Sequence, residues 1–134
     1  MKQVAKLIII DKNNRYLLMC RNNHPAFGND PDLPGGTIEG NEEPARAMLR
    51  EVNEETGIKL KASAVKQIYK STEYADGFIY YLFIAKLGKR PVVSISWEHS
   101  SYAWINRDDF LDKTKGARDT YMHMAHDAMQ NFIT

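Results

Sequence analysis

Residues 36–58 read GTIEGNEEPARAMLREVNEETGI, and the reading of this stretch decides the rest of the chain. Pro44 opens a helical pattern that runs to about Thr56. Proline suits a first helical turn because its missing N–H would have no intrahelical partner there. Asn41 or Glu42 stands in capping position before it. Ala45, Ala47, Met48, Leu49 and Val52 recur at helical spacing and give the helix one apolar side. Gly57 falls where a left-handed residue ends a helix. The helix also carries Glu51, Glu54 and Glu55. At about 100° per residue these three carboxylates lie within roughly 100° of one another.

Like charges this close repel, so the cluster costs stability unless cations sit on it. Hard divalent cations prefer oxygen ligands. Arg50 is four residues before Glu54 and close enough to orient it. Taken alone, the three glutamates fit a solvated acidic face better than a metal site. Their flanks tip the balance. Leu33-Pro34-Gly35-Gly36 places two glycines at a bend, where the backbone can approach a ligand closely.

Outward from this unit the chain reads as one domain. Its 134 residues are 43% hydrophobic and 26% charged, enough for one independently folding core. The net charge is only +1 and there is no basic stripe, which argues against a nucleic-acid or membrane-surface partner. A single cysteine, Cys20, excludes an internal disulfide and fits a reducing, cytoplasmic setting. In the apolar run 16–20 it reads as a small buried side chain. The apolar stretch Leu7–Ile10 is too short for a signal-peptide core or a membrane span.

Strands are expected at Val4–Ile10 and Arg15–Arg21, joined as a hairpin through 11–14. A loop follows over 22–33, then a short strand at Thr37–Glu39. Further strands are expected at Ala64–Tyr74 and Phe78–Leu87 around the turn 75–77, with a short extended piece at Pro91–Ile95. Tyr102–Ile105 reads as a strand, and helices are expected at Arg107–Asp112 and Thr120–Phe132. Hairpins mixed with helices give an α/β fold with a mixed sheet between helices. His123 and His126 lack the neighbouring ligands that a zinc site needs.

Gly36, Glu42, Arg50, Glu51, Val52, Glu54, Glu55, Gly57 and Ile58 together spell G-x5-E-x7-R-E-U-x-E-E-x-G-U, with U bulky and apolar. This pattern resembles the signature box of the Nudix hydrolases, without a departure. The resemblance implies an α/β/α sandwich that hydrolyses a nucleoside diphosphate linked to another group, using Mg²⁺ or Mn²⁺. It implies that Glu51, Glu54 and Glu55 bind metal, that Arg50 orients them, and that Glu42 is a further acidic residue near the metals. Gly36 and Gly57 match the structural glycines.

Outside the box, Glu98 in Trp97-Glu98-His99 is similar to the loop glutamate that serves some members as base or extra metal ligand. Glu54 and Glu55 are the alternatives for that role. Arg21 stands where related enzymes place a phosphate-contacting cation. Pro31 replaces a tryptophan often found two residues before the Leu-Pro-Gly-Gly run, which leaves Phe27 as the aromatic substitute.

Nucleoside triphosphates lead the substrate classes, followed by dinucleoside polyphosphates. Tyr74, about 17 residues beyond Gly57, matches a tyrosine associated with the latter. ADP-ribose and nucleotide sugars come third. A non-catalytic ligand-sensing module is the competing class, and the intact set of box carboxylates argues against it. Members of the family are often homodimers.

Overall fold

A computed structural model describes residues 1–132 of the chain. In chain order the strands and helices are β1 (Lys2–Ile10), β2 (Tyr16–Arg21), β3 (Pro31–Asp32), β4 (Gly35–Thr37), α1 (Pro44–Thr56), β5 (Lys66–Ser71), β6 (Phe78–Lys86), β7 (His99–Ile105), α2 (Arg107–Lys115) and α3 (Thr120–Gln130). A short 3₁₀ turn, Ala62–Ala64, precedes β5. The α1 boundaries coincide with the sequence expectation, and Gly57 caps the helix with φ 74°. At the other end the N-cap is Glu43, without a side-chain bond, rather than Asn41 or Glu42. The Glu42 carboxylate is engaged elsewhere, on Arg50 and the Glu39 amide.

The sheet is mixed because β1 runs parallel to β6 along its whole length but antiparallel to its other partners. Alternation in these two central strands builds both faces. Ala5, Leu7 and Ile9 join Phe83 and Ala85 beneath Ala47, Met48 and Val52 of α1. Ile8 and Ile10 join Tyr80, Leu82 and Ile84 beneath Phe110 of α2 and Tyr121, Ala125 and Met129 of α3. The result is the α/β/α sandwich, with one helix on one face and two on the other. No described helix is long and apolar enough to cross a membrane.

Several elements depart from expectation. The first hairpin is real at its turn, where Asp11 Oδ1 accepts the Asn13 and Arg15 amides. Its strands nevertheless share only the register pair Ile10 and Tyr16. Beyond it β1 pairs with β4, while β2 pairs with β3 and β7. The sheet therefore forks, and the fork opens a cleft. The expected strand at 37–39 is β4 at 35–37, because Gly35 and Gly36 lie against Lys6 and Ala5. Strand β3 was not expected, and 91–95 forms no strand. Cys20 is half-buried, and its thiol donates to the Asn29 carbonyl at 3.2 Å.

Candidate active site

Gly35 is the point where the fork and the acidic helix meet. Its φ is +136°, and a Cβ there would lie 2.4 Å from the Ala5 carbonyl oxygen and 2.5 Å from the Lys6 Cα. Only glycine allows this approach. It aims the Gly35 N–H at Glu55 Oε1, 2.8 Å away. Gly36 is close-packed in turn, since a Cβ would stand 3.0 Å from the Glu51 carboxyl carbon. The two glycines form a backbone floor under the carboxyl groups of α1.

Helical spacing treats Glu51, Glu54 and Glu55 alike, but the fold gives them three environments. The Glu54 side chain is 57% exposed and that of Glu51 is 18% exposed. Glu55 is 4% exposed. Burial pushes the Glu55 carboxyl up to about 8, against the opposing pull of Lys6 and the Gly35 amide. Burial also raises Glu51, opposed by Arg50 and assisted by the charges of Glu54 and Glu98.

Arg50 holds this wall in place. Its Nε and Nη2 donate to the two oxygens of Glu42 at 3.0 and 2.8 Å, a bidentate pair. Its Nη1 donates to Glu51 Oε1 at 2.8 Å. Glu54, the partner that spacing singles out, lies farther away at 3.6 Å. Arg50 thus orients Glu51 first, using Glu42 as its anchor.

The cleft has a volume of about 720 Å³. Glu51, Glu54, Glu55, Gly35 and Gly36 line one side, and Glu98 stands on its rim. Glu98 is exposed on the segment before β7, and its charge reaches both Glu51 and Glu55. That segment is tied to the end of α1, with the Ser94 and Ser96 amides donating to the Thr56 and Glu55 carbonyls. Oxygen donors on one wall, a backbone floor without side chains and a buried carboxyl suit a hard divalent cation. Among the described residues, no three of these acidic groups close around one point.

Of the other expected residues, Arg21 and Phe27 line the cleft and Tyr74 does not. The Tyr74 hydroxyl donates to Asp127 of α3 at 2.6 Å, which draws the ring to that helix. Phe27 is stacked on His24, with centroids 5.0 Å apart, and covered by the Arg21 guanidinium at 4.8 Å. Arg21 Nη2 binds Asp119 at 2.8 Å and Asp32 at 3.2 Å. Its guanidinium is therefore already engaged by two carboxylates. His123 and His126 bond to the carbonyls of Ala117 and Leu111.

Lys6, Asp32 and Asp119 join the site without an expected role, and His99 joins it beyond its place beside Glu98. Lys6 is 7% exposed, and its ammonium lies 2.5 Å from Asp32 Oδ1, across the fork. Burial would raise the Asp32 carboxyl, but Lys6, His99 and Arg21 together hold it well below the usual carboxylate range. One signal for Lys6 was legible: period-2 alternation puts it on the same face as Val4, Ile8 and Ile10. Asp32 carried none, since Lys6 and His99 are 26 and 67 residues away in sequence.

The family model for the NUDIX domain matches residues 1–124. The nucleoside triphosphatase NudI of Enterobacter sp. (strain 638) is 29% identical over 135 residues, covering 90% of this chain and 96% of that protein. The ADP-ribose pyrophosphatase of Methanocaldococcus jannaschii is 40% identical over 65 residues, but these cover only 48% of this chain and 38% of that protein. The crystal structure of a MutT NUDIX hydrolase from Burkholderia pseudomallei superposes with a TM-score of 0.70 at 23% identity, covering 95% of this chain and 96% of that one. With the box intact, the sandwich formed and the family model spanning nearly the whole chain, this protein belongs to the Nudix hydrolase family.

Proposed function

We propose that the protein is a divalent-metal-dependent hydrolase that cleaves a phosphoanhydride bond in a nucleoside diphosphate derivative, with nucleoside triphosphates as the leading substrates. The observation that carries this reading is the wall of Glu51, Glu54 and Glu55 above the Gly35–Gly36 floor, inside a cleft large enough for a nucleotide. The preference for triphosphates rests on the near full-length similarity to a nucleoside triphosphatase.

Glu51, Glu54 and Glu55 would hold Mg²⁺ or Mn²⁺, with Glu42 acting through Arg50. When bound, such a cation neutralises phosphate charge and acidifies a ligated water. The side chains do the remaining work. Arg50 keeps Glu51 turned toward the cleft. The glycine floor lets a phosphate chain approach without meeting a Cβ. Glu98, on the rim, accepts the proton of the attacking water as the new P–O bond forms and the anhydride P–O bond breaks. The leaving phosphate carries away the bridging oxygen. Arg21 and Phe27 we assign to the cleft floor that receives the nucleoside. Catalysis in the cytoplasm fits the single free cysteine.

A phosphate-release panel with Mg²⁺ or Mn²⁺ tests this across nucleoside triphosphates, dinucleoside polyphosphates and ADP-ribose. Triphosphates should be cleaved fastest, and Glu54→Gln should lower kcat about 100-fold or more. If no member of the panel is cleaved and Glu54→Gln changes nothing, the protein is a ligand-sensing module instead. Faster cleavage of ADP-ribose or a dinucleoside polyphosphate would retain the chemistry and replace the substrate.

A further inference from the structure

Asp32 touches the cleft, yet it is 3% exposed and its carboxyl group meets four donors within the protein. Oδ1 accepts from the Lys6 ammonium at 2.5 Å, the Leu33 amide at 2.9 Å and Arg21 Nη2 at 3.2 Å. Oδ2 meets His99 Nε2 at 2.9 Å. An ionised carboxyl group offers about four lone-pair sites, and four donors already meet Asp32, three of them on Oδ1. Its side-chain partners come from three separate elements around the cleft: β1, the end of β2 and the start of β7.

The β7 contact adjoins the chemistry, because His99 follows Glu98 directly. The His99 side chain is 2% exposed, and among the described residues its Nδ1 has no partner. The bond to Asp32 is therefore what orients the ring. The other ties of this segment are accepted by or donated from its main chain: the Ser94 and Ser96 amides to α1, the Asn22 amide to the Glu98 carbonyl, and the Asn22 side-chain amide to the Trp97 carbonyl at 3.1 Å. They hold the main chain, while His99 is the neighbour of Glu98 whose side chain is buried and anchored.

We propose that Asp32 is a positioning residue that, through His99, sets where Glu98 stands relative to the carboxyl groups of α1. This rests on the reading of Glu98 as the proton acceptor. The Asp32–His99 pair forms no bond to substrate and acts by fixing the loop. A single carboxylate thereby couples the Arg21 side of the cleft to the Glu98 side.

The test compares His99→Ala, His99→Gln, Glu98→Gln and the double variant Glu98→Gln/His99→Ala. Gln carries an amide N–H to nearly the place of Nε2. His99→Ala should keep its far-ultraviolet dichroism, lose about 10- to 100-fold in kcat and hold KM within about 3-fold. His99→Gln should recover to within about 3-fold of the parent. The double variant should be no slower than Glu98→Gln, because coupled groups do not lose activity independently. Independently of activity, amide exchange at 96–98 and at Asn22 should rise in His99→Ala and return in His99→Gln. His99→Asn, too short to reach Asp32, replaces the Ala variant if that one does not fold, and should behave as it would.

Multiplicative losses in the double variant would overturn the proposal. So would a folded His99→Ala with parental kcat, or exchange that does not change. A Glu98→Gln variant as fast as the parent would overturn the Glu98 reading itself, and the catalytic part of this proposal with it, whatever the exchange shows.

Discussion

Glu55 should report the arrival of the metal through its proton. The residue is 4% exposed, and its carboxyl group accepts the Gly35 amide. Burial pushes it up to about 8 from an ordinary 4.5. A carboxyl that ligates a cation does so as the carboxylate, so binding must release whatever proton it held. A group titrating near 8 is about 90% protonated at pH 7 and about half protonated at pH 8. Cation binding should therefore displace about 0.9 proton from Glu55 at pH 7 and about 0.5 at pH 8. Calorimetric titration of Mn²⁺ in buffers of different ionisation enthalpy measures this number directly. Glu55→Gln, subtracted from the parent, isolates the contribution.

The same proton affects stability. Because the folded value lies above the unfolded one, the folded metal-free protein holds more protons than the unfolded chain between about pH 4.5 and 8. Stability should fall as pH rises through that window, by at most about 5 kcal/mol. Glu55→Gln should flatten the slope, and saturating cation should offset it. Binding without proton release at pH 7, or release that persists undiminished in Glu55→Gln, would refute the reasoning.

Three further outcomes follow from the geometry. Gly35→Ala drives a Cβ into the β1 backbone at a φ that side chains rarely adopt; urea denaturation should show a loss of about 3 kcal/mol or more, or no folded protein. Arg50→Ala releases Glu51 and Glu42 together, and Mn²⁺ affinity measured by titration should weaken about 10-fold or more, with fold retained by circular dichroism. Asp32→Ala strands the buried Lys6 ammonium and removes one of the two carboxylate partners of Arg21, and should cost about 3–5 kcal/mol in the same urea assay.

Two of the residues expected to meet substrate outside the box find partners within the protein instead. Tyr74, the residue that pointed to dinucleoside polyphosphates, spends its hydroxyl on Asp127 rather than facing the cleft. Arg21, expected to meet phosphate, faces two aspartates. Tyr74 is read from its distance to the box and Arg21 from its place at the end of a strand, and neither encodes what Asp119 and α3 bring across. At the fork, Lys6 and Arg21 meet Asp32, and Arg21 also meets Asp119, so these charges are spent on one another.

Local order was legible wherever neighbours in sequence are neighbours in space. Helix α1, its glycine cap and the convergence of Glu51, Glu54 and Glu55 follow from a 3.6-residue period and residue type alone. The two-faced packing of β1 and β6 follows from a period of two. Tertiary structure alone decided which of three equivalent-looking glutamates is buried. That depends on a Gly35 amide 20 residues away, lying against a strand nearly 30 residues away. It also decided that the first hairpin opens after one pair and that Asp32 gathers Lys6, Arg21 and His99 at the opening. Hydrogen bonds and ion pairs act through distance in space, and folding is what brings those distances about.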